Sequence, residues 1–174
     1  MAGPMVVCAC VLNELIEVND SKTYSEARRT EVFDYVMTKV RDFELVYVSP
    51  VVIDEVGLWF AWDVAVRDAI DRLRERVGCL PVIVDGSRIT DEVQAISSMV
   101  GGDKSVKAIA AASVIAKVMR DTEMIDMSNK YPNYGFNKHK GYGVKDHIEA
   151  IQRLGPCKIH RMSFLTNIIK QHVP

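Results

Sequence analysis

Two aspartates, each beside a glycine and each at the end of a patterned run, are the residues of this chain best suited to chemistry. Asp85 closes the apolar run Pro81–Asp85 and is followed by Gly86. Asp103 sits in Gly101-Gly102-Asp103-Lys104, ahead of an alanine-rich stretch. Carboxylates are hard oxygen donors, so two of them at the ends of neighbouring elements can share magnesium or manganese ions. The plainer explanations are also physical. Asp-Gly is a common turn dipeptide, and an aspartate ahead of a helix complements the helix dipole. Spacing alone leaves that choice open. A second group, Tyr131–Tyr142, mixes aromatics, glycine, Lys138, Lys140 and His139 in a loop. Aromatic faces stack on sugars or bases and lysines contact phosphates. A solvated loop with its tyrosines packed at the base is the even alternative. The turn Asn19-Asp20-Ser21-Lys22 offers backbone N–H groups and Lys22 to a phosphate, although an ordinary capped turn explains it as well.

These groups need elements to position them. Met5–Leu12 is a continuous β-prone run and predicts a strand buried on both faces. Thr23 with Glu26 fits a capping box opening a helix to about Arg41. Glu44–Ser49 predicts a second strand, and Ser49-Pro50 caps a short helix because proline suits the first helical position. Leu58–Val77 is amphipathic, with Trp62, Ala65, Val66, Ala69, Ile70 and Leu73 on one face. Pro81–Asp85 predicts a third strand and Val93–Val100 a weaker fourth. A long helix follows from about Ser105 to Asn129, with small residues that allow close packing. Tyr131-Pro132-Asn133 ends it. A helix over Val144–Leu154 and a last short one over Ser163–His172 complete the chain. The alternation of strands and helices predicts an α/β fold.

Composition sets the bounds. The 174 residues suit one domain that buries its own core. Net charge is −1, so polyanion binding must come from a local patch such as Lys138, Lys140, Lys145, Lys158 and Arg161. The four cysteines lack zinc-site spacing and predict small buried core residues in a reducing, cytoplasmic setting. No apolar run is long enough to span a bilayer. No basic residue precedes Met5–Leu12, which argues against a signal peptide. A Gly-rich phosphate loop is also absent from the sequence, which argues against a nucleotide-handling α/β enzyme of another kind.

Taken together, the motifs resemble one family, ribonuclease HII. The chain carries AGP with a β run (Ala2–Leu12), NDSK before a helix (Asn19–Lys22), a VSP turn (Val48–Pro50) and VDG with a nearby arginine (Val84–Arg88). It also carries a GD turn leading into AAS-x-x-AK-x-x-RD (Gly102–Asp121), YGF-x-x-HKGY (Tyr134–Tyr142) and GP-x-x-IHR-x-SF (Gly155–Phe164). The resemblance covers nearly the whole chain, with the motifs in the family's order.

The resemblance implies a ribonuclease H-like mixed sheet flanked by helices. It implies a single domain over 1–174 with a helical substrate-binding segment over about 130–174. It implies an endoribonuclease that cuts the RNA strand of RNA–DNA hybrids, and DNA at embedded ribonucleotides, by metal-assisted hydrolysis with Mn2+ or Mg2+. Asp85 and Asp103 match metal-binding carboxylates of the family. Tyr142 matches the tyrosine that packs on the ribonucleotide sugar. Asn19 and Lys22 lie in the loop that approaches the substrate backbone, with Lys138 and Lys140 as further contacts. Asp121 matches a family position and reads as structural. The protein is expected to act as a cytoplasmic monomer on hybrid or ribonucleotide-containing duplex, in DNA replication and repair, with no membrane partner. The family also carries D-E-x-G-R-G just upstream of its AGP, whereas this sequence starts at Met1-Ala2-Gly3-Pro4. The expectation is that two of the family's four carboxylates, its junction-reading loop and its central strand are missing from this chain. That strand would lie between those matching Met5–Leu12 and Pro81–Asp85. Neither Asp54-Glu55 nor Asp91-Glu92 has the context to replace the pair. Three explanations compete: a late recorded start of a longer protein, a catalytically inactive truncated relative that still binds hybrid, and a partner chain that supplies the strand.

Overall fold

The structure is a computed structural model, and it describes residues 1–86, 91 and 95–169, the side chain of Ile169 excepted. Arg88, the start of the predicted Val93–Val100 strand and the end of the predicted Ser163–His172 helix lie outside the described residues. The elements in chain order are β1 (Met5–Leu12), α1 (Glu26–Met37), β2 (Val40–Val48), α2 (Pro50–Val56), α3 (Leu58–Val77), β3 (Val82–Asp85) and β4 (Ile96–Met99), followed by α4 (Lys107–Lys130), α5 (Phe136–His139), α6 (Lys145–Leu154) and α7 (Thr166–Ile169). Short 3-10 turns stand at Ser21–Thr23, Gly102–Lys104, Pro132–Tyr134 and Met162–Phe164. No described helix is long and apolar enough to cross a membrane.

The chain divides into two units. The first comprises Met1–Met5, Tyr47–Trp62 and Met119–Pro174, and the second comprises Val6–Val46 and Asp63–Val118. Strand pairing is of two kinds: β1 pairs with β2, and β3 pairs in parallel with β4 in the register Val82↔Ile96 to Asp85↔Met99. Among the described residues no strand joins the two pairs. β1 therefore keeps one unpaired edge, and all its residues are half-buried rather than covered on both faces as its apolar sequence predicts.

In the second unit, one face of α3 is buried through Ala65, Val66, Ala69, Ile70 and Leu73, as its periodicity predicts. α4 approaches β1 closely enough for the Cys10 thiol to lie 3.4 Å from the Ala108 carbonyl. Alanine at 108 permits that approach. Burial raises the Cys10 thiol to about 12 and the Cys8 thiol well above its usual range, so both are inert core groups. Cys79, also expected inside, is exposed just after α3.

Two boundaries differ from expectation. α1 is capped by Ser25, which accepts from the Arg28 N–H, and not by Thr23. The Thr23 hydroxyl is committed to the Asp20 carbonyl in the preceding turn. α1 also stops at Met37, and β2 begins at Val40 rather than Glu44. Pairing with β1 recruits these residues, since the Asn13 N–H already donates to the Lys39 carbonyl at 2.9 Å. A propensity estimate made without the partner strand has no access to that bond.

The first unit holds a small core of Ala2, Met124 and Phe136, with Tyr131, Tyr134, Cys157 and Ile159 packed around it. α2 is capped by Ser49 with Pro50 at its start, as expected. The stretch expected to be a loop contains α5 instead. Gly135 (φ 75°) precedes this short helix and Lys140 (φ 51°) follows it, both in the left-handed region that turns the chain sharply.

Candidate active site

The carboxylates belong to the second unit. Asp85 ends β3, and its Oδ1 accepts the Gly102 N–H at 2.9 Å. The parallel register sets Asp85 opposite Met99, and the Gly86 N–H continues the ladder to the Met99 carbonyl. The chain leaving β4 thus turns beside Asp85. Gly101 takes φ 67° to make that turn, and Asp103 follows within it. Asp85 is exposed, whereas Asp103 is 5% exposed.

Lys22 joins the pair. Its ammonium lies 3.5 Å from Asp103 Oδ2. The loop that carries it is tied down by Ser21, whose hydroxyl meets that of Ser113 at 2.9 Å and whose carbonyl accepts from Arg29 Nε at 2.9 Å. Asp20 accepts the Lys22 N–H at 2.9 Å. Asn19 is exposed, and its N–H donates to the Tyr24 hydroxyl. So Asp85, Asp103 and Lys22 come together, with Asn19 at the margin.

The donor chemistry of this pair fits a hard divalent cation. Both side chains are carboxylates, and the cationic group that already approaches Asp103 is an ammonium rather than a guanidinium fork. Among the described residues no group of three or more histidine, cysteine, aspartate or glutamate side chains forms a fuller metal site.

The remaining predicted residues belong to the first unit. Tyr142 is 50% exposed, with the Arg120 guanidinium 5.0 Å from its ring centroid. Arg120 is fixed by donating to the carbonyls of Pro4 and Ala2. Lys138 is exposed. Lys140, expected on phosphate, is instead buried, and its ammonium donates to the Asn137 carbonyl. It closes the turn after α5.

Sequence reasoning gave no role to His147 and His160. Both are buried, and their Nε2 atoms meet at 3.1 Å. Burial, with the neighbouring His139 and His160 rings, pushes His147 down to about 4, and burial lowers His160 as well. The signal available covered His160 alone, inside the IHR motif, since His147 lies in none of the motifs.

Comparison with known proteins bears directly on these motifs. A family model for ribonuclease HII matches residues 1–167. Ribonuclease HII of Caldicellulosiruptor bescii is 39% identical over 172 residues, covering 97% of this chain and 82% of that protein. The chain belongs to the ribonuclease HII family. The Nocardia farcinica ribonuclease HII is also 39% identical, over 94% of this chain and 66% of its own length. Among solved structures, the ribonuclease H2 of Pyrococcus horikoshii OT3 superposes with a TM-score of 0.76 at 23% identity, covering 98% of this chain and 92% of that one. The RNase HII from Archaeoglobus fulgidus, solved in a complex with PCNA, gives 0.72 at 22% identity over 96% and 90%. At these identities the structures establish the ribonuclease H-like fold expected from the motifs. Dependence on a divalent metal goes with the ribonuclease HII family.

Proposed function

We propose that Asp85 and Asp103 are metal-binding carboxylates of a ribonuclease HII site and that Lys22, Lys138 and Tyr142 engage its substrate. As a ribonuclease HII the chain is an endonuclease that cleaves the RNA strand of RNA–DNA hybrids. The finer reading adds Mn2+ or Mg2+ as the ion, duplexes with embedded ribonucleotides as substrates, and a cytoplasmic monomer serving DNA replication and repair. The observation that carries it is the Asp85 Oδ1 bond to the Gly102 N–H, which ties one carboxylate to the turn bearing the other.

Asp85 and Asp103 would hold a divalent cation, which would supply acidification of an attacking water and charge stabilisation at the departing 3′ oxygen. The chain's own contribution is positional. Asp85 spends one oxygen on Gly102 and presents the other. Asp103 is buried enough to hold its orientation. Lys22, exposed along most of its side chain, reaches the same place and can exchange Asp103 for a phosphate oxygen. Tyr142 offers a ring face to the ribose, and the 2′-OH is the group that distinguishes RNA from DNA there. Lys140 is left out of the phosphate contacts because its ammonium points into the fold.

The test is cleavage of a duplex bearing one ribonucleotide, with manganese or magnesium added. Asp85→Asn, which keeps an acceptor for Gly102, is expected to lower kcat/KM by at least about a hundredfold, more than the loss of an outer partner gives. Unchanged turnover by that variant would defeat the assignment.

A further inference from the structure

Three histidines of the first unit, His139, His147 and His160, surround the peptide that carries Tyr142, and none has a part in the carboxylate chemistry. Their hydrogen bonds place one proton on each ring. His139 Nδ1 accepts the Gly141 N–H at 3.2 Å, so Nε2 carries the proton and donates to the Tyr134 carbonyl at 2.8 Å. His147 Nδ1 donates to the Tyr142 carbonyl at 2.8 Å, which leaves its Nε2 as an acceptor. His160 Nε2 faces that acceptor at 3.1 Å and donates to it, while its Nδ1 accepts the Cys157 N–H at 2.9 Å. With all three rings neutral, each of these donors meets an acceptor. A proton added to His147 would set two N–H groups against each other across 3.1 Å. One added to His160 would take the Cys157 carbonyl at 3.2 Å and leave the Cys157 N–H without its acceptor, and one added to His139 would oppose the Gly141 N–H.

We propose that His147 and His160 are positioning residues for Tyr142. The neutral chain from His160 to His147 to the Tyr142 carbonyl fixes the peptide, and through it the ring that meets the ribose, and a proton added to His147 breaks the link to His160 that orients it. The proposal rests on the reading of Tyr142 given above.

The surroundings fit this role. The Tyr142 carbonyl also accepts the Val144 N–H at 2.9 Å. The preceding Gly141 carbonyl takes the Ala2 N–H and the Met1 amino group, so the tyrosine's backbone is tied on both sides while its ring faces solvent. His147 is 0% exposed. It stacks on His139 with centroids 4.3 Å apart and meets the edge of Phe136 at 5.4 Å. Around His160 lie the Tyr134 ring at 5.2 Å and the Cys157 thiol at 3.2 Å. The titratable groups that oppose a further proton on His147 are the His139 and His160 rings and the Met1 amine, and burial, with Arg161 and Arg120, holds that amine itself down to about 5. Asp54 is occupied by the N–H groups of Met162 and Ser163, and Asp146 and Glu149 of α6 are exposed. Burial, with the neighbouring histidine rings and the Met1 amine, holds His147 and His160 below the usual histidine range.

The test measures affinity for a duplex carrying one ribonucleotide relative to the all-DNA duplex of the same sequence, by fluorescence anisotropy without divalent metal. Tyr142→Ala should erase the preference. His147→Phe fills the same space without the donor and should reduce the preference about fivefold to tenfold, leaving all-DNA affinity unchanged. His147→Asn, which restores an N–H near the Nδ1 position, should recover most of it. A merely structural role would lower both affinities together and leave their ratio intact. If Tyr142→Ala removes the preference and His147→Phe does not, this inference alone is overturned. If Tyr142→Ala changes nothing, the Tyr142 reading falls and takes the inference with it. Should His147→Phe fail to fold, nitrogen NMR of the wild-type rings decides. Neutral His147 with its proton on Nδ1 and neutral His160 with its proton on Nε2, both persisting at pH 5, support the inference. The opposite tautomers, or ordinary titration near pH 6.5, overturn it.

Discussion

The Asp85–Asp103 turn and the Tyr142 loop solve opposite problems. At the turn, negative charge is loosely tied: among the described residues Asp85 has one backbone bond, and Asp103 has one ion pair with a lysine whose side chain is 77% exposed. At the loop, the side chain proposed to meet substrate is open while its peptide is held by several bonds from buried partners. Charged groups that must accept a ligand are kept short of partners, because every internal bond would have to be broken first. A flat ring that only presents a face needs a rigid backbone instead, because misorientation weakens its one contact. The two regions should therefore respond differently to substitution.

The largest contrast is expected at Asp103. Asp103→Asn should cost at least about a hundredfold in kcat/KM while shifting Tm by no more than a few degrees, since a half-exposed ion pair contributes ~0–1 kcal/mol. If the variant is instead strongly destabilised, the turn is a structural element and the comparison fails.

Acid should act on the loop in the opposite sense, through stability. His147 titrates near 4 in the folded protein and near 6.5 when unfolded, so the unfolded chain takes up the proton first. Stability is then lost as pH falls from about 6.5 to about 4, by about 1.4 kcal/mol per pH unit for this ring, with no further loss from it below that window. Urea unfolding at several pH values checks the slope. His147→Asn should reduce it by one proton, and an unchanged slope would show that the ring is not the group titrating.

A smaller effect is expected from Gly141→Ala. A Cβ there would lie 2.5 Å from the Ala2 carbonyl oxygen, at φ 80°. The cost is about 1–3 kcal/mol, read as a lowered Tm and a weakened preference for ribonucleotide duplex. Gly78→Ala is the matched control: it has φ 85° but nothing within 4 Å of the added carbon. It should cost less, and equal losses at the two sites would mean that backbone conformation, not the contact with Ala2, sets the penalty.

The two regions also differ in how far they could be read from sequence. β1 falls on the continuous β-prone run that predicts it, and α3 falls on its predicted residues because it is long enough for its helical period to be unambiguous. Asp85 and Asp103 were legible as a pair because glycine turns and strand ends mark where ligands collect. The Tyr142 loop was legible in composition but not in arrangement. Whether Lys140 points out or in depends on a left-handed residue after a one-turn helix, which no periodicity reports. The histidine chain joins residues 139, 147 and 160 through ring-to-ring and ring-to-backbone bonds, and the pattern of a single strand or helix carries no trace of such bonds. The open β1 edge was expected from the missing strand, whereas burial on both faces was not met: an apolar strand states that it can be buried, not that a neighbour is there to bury it.

The smallest expected effect separates three lysines that the sequence alone treats alike. Lys22→Ala and Lys138→Ala each remove an exposed ammonium, so each should weaken hybrid binding a few-fold and reduce the slope of log affinity against log salt by about one. Lys140→Ala removes a buried ammonium bonded to the Asn137 carbonyl, so it should leave the salt slope alone and lower Tm instead. The discriminating measurement is hybrid affinity across a salt series for all three variants beside their thermal unfolding. A salt slope that falls for Lys140→Ala as it does for Lys138→Ala would mean that the Lys140 ammonium leaves its internal partner to meet phosphate. The loop would then resemble the Asp103 turn in exchanging a protein bond for a ligand, and the contrast between the two regions would narrow to Tyr142 alone.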